Sequence, residues 1–147
     1  YNTYLQSRVC SIIMLHCSIE AFVNSVIPEN IQYPWRTKKG TRMLGKRDIN
    51  KKIIFKDKLV KVLKFVTGID LENNYKDLTD NILDFYQVRN DFAHLKSYME
   101  NTFKPSHTTV FNNMLNMDIE KYQEVAHKFM NLIKPNYITK REKEKRG

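Results

Sequence analysis

Glycine and proline are scarce in this chain, with 4 of each in 147 residues. That scarcity excludes collagen-like and Pro/Gly-rich disordered classes, and it leaves too few turn signals for an all-β sandwich. The glycines, at 40, 45, 68 and 147, are scattered, so there is no Gly-rich phosphate-binding loop. Cysteine is equally sparse. Neither Cys-x-x-Cys nor His-Glu-x-x-His occurs, so zinc has no spacing argument, and no serine sits in a glycine elbow. No cofactor and no metal are expected. On one helix Cys10 and Cys17 would lie about 10.5 Å apart, beyond disulfide reach. They are expected to be reduced thiols packed as small apolar groups, in keeping with a cytoplasmic protein. A signal-peptide pattern is missing. The apolar stretch 10–27 is interrupted by His16, Glu20 and Asn24, which reads as a helix with a buried face and not as a membrane span.

What the chain does have is helical periodicity and enough length for one domain with its own core. Residues 3–27 carry Leu5, Val9, Ile12, Ile13, Cys17, Ala21, Val23 and Ile27 near a 3.6-residue period, and Pro28 stops them. Residues 28–50 read as a basic loop holding Pro34, Gly40 and Gly45. A second helix is expected over 53–66 with a stripe of Ile54, Leu59, Val62, Leu63 and Val66, closed by Gly68. A third starts near 75, capped by Asn73 or Asn74, with any break at 88–96. Residues 98–117 read as irregular, and a last helix begins after Asp118. The expected fold is all-α, a bundle of four or more helices over residues 1–138, with 139–147 as a frayed charged tail.

The formal charge of +9 is unevenly placed. Residues 1–35 sum to −1, 36–64 to +10, 65–138 to −3 and 139–147 to +3. A localised basic stretch is the electrostatic footprint of a polyanion such as RNA. The candidate contacts are Arg36, Lys38, Lys39, Arg42, Lys46, Arg47, Lys51 and Lys52. Tyr33 and Trp35, in the same segment, suit either base stacking or an aromatic plug over the core.

One cluster carries chemistry: Tyr86-Gln87-Val88-Arg89-Asn90-Asp91-Phe92-Ala93-His94. It sets a permanent cation, an amide and the one side chain that titrates near neutrality within six residues. Asn90 and His94, four apart, share a helix face, whereas Arg89 and His94, five apart, lie about 140° from overlap. They converge only if the helix bends, or if a second copy presents the same motif across a symmetric interface. Such a trio suits phosphodiester chemistry on RNA: His moves a proton, Arg holds charge developing on phosphorus, and Asn orients an oxygen or the imidazole. The bland alternative is an Arg and a His making caps and ion pairs.

Arg-x4-His with Asn directly after Arg, at the end of the third long helix, resembles the signature of HEPN (higher eukaryotes and prokaryotes nucleotide-binding) domains. The helix-one pattern Ser18-Ile19-Glu20-Ala21-Phe22-Val23-Asn24 and the segment Phe55-Lys56-Asp57-Lys58-Leu59 with Thr67-Gly68 fit that family too, over roughly residues 4–134. The resemblance implies a helical bundle that homodimerises to join two motifs in one cleft. It also implies a metal-independent endoribonuclease of toxin–antitoxin or other antiviral defence systems. Carried over by position, Arg89, Asn90 and His94 are the catalytic residues and Glu20 a supporting partner of Arg89. The alternative is a non-catalytic RNA-binding or assembly module. It could also act as the partner of an antitoxin or a nucleotidyltransferase, or form part of a larger defence protein.

Overall fold

The computed structural model describes residues 2–98 and 105–139, with side chains at 3–94 and 108–139. The proposed charged tail beyond residue 139 lies outside the described residues. The order is α1 (Asn2–Val26), β1 (Tyr33–Thr37), β2 (Gly40–Leu44), α2 (Lys46–Lys52), α3 (Phe55–Asp57), a π-helical segment (Lys58–Val62), α4 (Leu63–Thr67), α5 (Leu71–Asn74), α6 (Lys76–Tyr98), α7 (Pro105–Asn116) and α8 (Ile119–Ile133). The architecture is a mostly α-helical bundle. Helix α1 packs against α4, α6, α7 and α8, and α6 packs in turn against α7 and α8.

The main core is formed by Ile12, Ile19, Phe22 and Val23 of α1 with Phe55, Leu59, Leu63, Ile82, Phe85, Met114, Phe129 and Ile133 from the surrounding helices. Phe22 meets Phe129 edge-on at 5.6 Å, and Phe85 lies 4.9 Å from Tyr122. By length and composition α1 is apolar enough to cross a membrane over Thr3–Val26. Here one of its faces fills the centre of the bundle. Arg8 fastens its first half by donating to the carbonyls of Met114, in the last turn of α7, and Met117, just beyond it.

Residues 28–50 are more ordered than a loop. β1 and β2 form an antiparallel hairpin in register from Tyr33 opposite Leu44 to Thr37 opposite Gly40, and α2 follows. Tyr33, Trp35 and Thr37 turn their side chains inward while Pro34 and Arg36 stay exposed. Gly40 supplies the left-handed φ of 118° at the turn. The inward rings rest on a second, smaller core of Ile27, Ile31, Leu44, Ile49, Ile53 and Val62. This apolar layer turns a highly charged segment into a sheet, and charge had hidden its period-2 pattern.

Three other expectations need correction. The expected second helix runs without interruption from Phe55 to Thr67, but its middle turn is π-helical, and Lys58, Leu59, Val60 and Val62 are all buried. A π turn accommodates one extra residue, so four neighbouring side chains reach the interior. Gly68, at φ 75°, ends α4 as expected. The expected irregular stretch contains α7, which starts on Pro105, a position where the missing N–H removes no helical bond. Asn73 does not cap α6. Its own N–H is taken by Asp70, which also bonds Lys64, and these partners hold the Asp70 carboxyl down to about 2.

Asp118 is the N-cap of α8 as the sequence implies, accepting from the Lys121 N–H at 3.0 Å. Asp118→Ala should destabilise the protein by about 1 kcal/mol, while Asp118→Asn retains most of that. Urea denaturation of the two variants checks it, and equal stability of Asp118→Ala and wild type would contradict the cap.

Candidate active site

Helix α1 is apolar nearly all the way round, so periodicity alone does not say which face turns inward. The sequence places Cys17 and Ala21 in its core stripe and Cys10 as a packed thiol. All three are exposed, together with Ile13 and with Met14 at 71%. Beside Ile12 and Ile19 runs a polar line at spacing i, i+4, i+8, with His16 buried and Glu20 and Asn24 part-exposed. His16 is 2% exposed and Lys58 is 4% exposed.

These groups meet two cations from neighbouring elements. His16 Nε2 lies 3.3 Å from Glu20 Oε2, and its ring is enclosed by Phe55, Phe85 and Tyr86 at 5.7, 6.5 and 5.3 Å. Burial pushes the His16 imidazole below its ordinary range, and the positive charge of Arg89 pushes the same way. Glu20 opposes both by charge and by hydrogen bond. Lys58 Nζ lies 3.4 Å from Asn24 Oδ1 and from the Asn50 carbonyl; burial lowers its pKa and Glu20 raises it. Thus His16, Glu20, Asn24, Lys58 and Arg89 form one electrostatic neighbourhood, drawn from α1, the π segment and α6.

Glu20 was assigned as a partner of Arg89. Glu20 bonds His16, and the charge of Arg89 acts on the same imidazole. Half-buried Arg89 donates from Nη1 to Asn90 Oδ1 at 3.1 Å, so Asn90 steadies the guanidinium. His94 is exposed on the same helix. Helix α6 is continuous from Lys76 to Tyr98, with no break at 88–96. On a continuous helix Arg89 and His94 are about 7.5 Å apart along the axis and point about 140° apart. The basic candidates lie elsewhere: Arg36 and Arg42 on the hairpin, Lys38 and Lys39 at its turn, and Lys46, Arg47, Lys51 and Lys52 on α2. All are exposed except Lys46, which Glu29 holds at 2.7 Å.

Sequence reasoning missed His16, Asn24 and Lys58. The i, i+4, i+8 line in an apolar helix was legible, but its direction was not. Nothing in the sequence marks Lys58 as buried, since that depends on the π turn.

No family model matches the chain, and no curated protein or solved structure matches it.

His16 also sets a pH dependence. Its folded pKa lies below 6.5, so the unfolded chain binds more protons and stability falls as pH drops through that window. His16→Gln should shrink the loss of unfolding free energy between about pH 7 and pH 5. Arg89→Ala should raise the His16 pKa in an imidazole NMR titration; an unmoved value would contradict the proximity of the two groups.

Proposed function

We propose that the chain is a HEPN-type endoribonuclease whose active site is completed by a second copy of itself. The observation that carries the reading is the Arg89–Asn90 pair on an unbroken α6, with its charge felt by the buried His16 that part-exposed Glu20 bonds. Perturbed titratable groups gathered around a cation with a polar partner are what phosphate chemistry requires. The spare positions of α1 also support dimerisation. Ile13 and Cys17, seven and three residues before Glu20, present an exposed apolar surface next to the polar line.

In this reading His94 of one copy takes the proton from a ribose 2′-hydroxyl. O2′ then attacks phosphorus as the bond to O5′ breaks, and O5′ leaves with the proton that His94 returns. Arg89 holds the charge that develops on the phosphoryl oxygens, and Asn90 fixes its fork. The products are a 2′,3′-cyclic phosphate and a 5′-hydroxyl; no water is consumed. General acid–base catalysis of this kind is worth roughly 10²–10⁴-fold. The cations of the hairpin and α2 hold the RNA backbone, and part of the affinity is lost with added salt.

Incubating the pure protein with RNA in EDTA should yield cyclic-phosphate ends. His94→Ala and Arg89→Ala should each slow cleavage by about 10²-fold or more. Cleavage by His94→Ala at the wild-type rate would overturn the assignment. Salt-sensitive RNA binding without products, unchanged by His94→Ala, would instead favour the non-catalytic RNA-binding module.

A further inference from the structure

A cleft of about 440 Å³ lies along β1, away from the Arg89 motif. Tyr33, Pro34, Trp35 and Arg36 form one wall; Ile53, Asp57 and Lys61 form the other. Its size falls in the range of small-ligand sites, about 300–1,000 Å³. The hairpin has only two strands, so the edge of β1 not paired with β2 is open.

The chemistry of the walls is mixed in a specific way. Trp35 and Tyr33 are half-buried. The small core beneath supports them, and Tyr33 is braced edge-on by Phe65 at 5.3 Å. Arg42 stands directly across the sheet from Trp35, within reach of the same ligand. Between Glu29 and Asp48 the chain carries Arg36, Lys38, Lys39, Arg42, Lys46 and Arg47 and no acid. On the far wall Asp57 pairs with Lys61 at 3.1 Å. That carboxylate repels a phosphate and accepts from N–H groups. An anion alone is therefore poorly served inside the cleft and well served at the hairpin rim. An aromatic, hydrogen-bond-donating ring flanked by phosphates suits both parts.

We infer that this cleft is a stacking pocket for one base of single-stranded RNA, seated against Trp35, with the flanking phosphates on Arg36, Lys38, Lys39 and Arg42. The inference rests on RNA as the partner and not on the cleavage chemistry. Bases held in a duplex do not offer a free face to Trp35, so the pocket selects unpaired segments. It gives the nuclease a second hold on its substrate, separate from the reacting phosphate.

Trp35 is the sole tryptophan of the chain, so its fluorescence reports on this cleft alone. With the His94→Ala protein, which leaves the RNA intact, a single-stranded oligoribonucleotide should quench Trp35 on binding. An abasic strand with the same number of phosphates should bind about tenfold more weakly and leave the emission unchanged, as expected for the loss of one base–aromatic stack. Trp35→Leu, checked for folding by circular dichroism, should lose affinity to a similar extent for the normal strand and none for the abasic one. Binding without quenching, or equal quenching by the abasic strand, would overturn the pocket while leaving RNA binding intact. Absence of binding by either strand would overturn both the pocket and RNA as the partner, whereas loss of cleavage alone would touch only the catalytic reading.

Discussion

A helix that carries charge on its inner face constrains everything packed around it. His16 is buried in the bundle, with Glu20 and Asn24 part-exposed on the same helix line, and the imidazole needs a partner there, because an unpaired buried polar group is strongly unfavourable. The partners come from three directions. Glu20 serves His16, the π segment brings Lys58 to Asn24, and Arg89 approaches from α6. The aromatic rings of Phe55, Phe85 and Tyr86 close over the imidazole and keep water from it. Filling the same volume with apolar side chains would be simpler, and groups of this kind tend to be retained at sites of function.

The same constraint explains the outer surface of α1. With the polar line inside, the remaining apolar side chains, Ile13 and Met14 among them, are left facing outward. Helix α6 adds a second geometric limit. It is continuous through Arg89 and His94, and on ideal helical geometry the two side chains leave it about 140° apart. The apolar surface next to Glu20 follows from how α1 is placed. The hairpin stands apart, with its own small core, and carries the cations the motif lacks.

Much of the fold was legible because local chemistry dictates it. Asp118, Gly68 and Pro28 mark helix ends by capping or backbone restriction, and each ends or starts a helix within two residues of its position. The stripe of α8 has a clear polar side, so its buried face follows from its period. Helix α1 offered no such contrast, and its orientation was misjudged: Cys17 and Ala21 face outward and His16 inward. That choice is made by Lys58 and Arg89, distant in sequence. The hairpin was hidden by Pro34 and a run of cations, although Tyr33, Trp35 and Thr37 alternate correctly. Of the site, Arg89, Asn90 and His94 were legible as a motif, and Glu20 as a neighbour. His16 as the buried partner of Glu20 required the tertiary structure.

The central claim is that Arg89 of one copy works with His94 of another. The most direct measurement mixes two inactive proteins, Arg89→Ala and His94→Ala, and assays RNA cleavage after subunit exchange. A mixed dimer keeps one intact Arg89–His94 pair across its interface, so activity should reappear in the mixture and rise with the fraction of mixed dimers. A mixture as inactive as either variant alone, despite demonstrated exchange, would contradict the account.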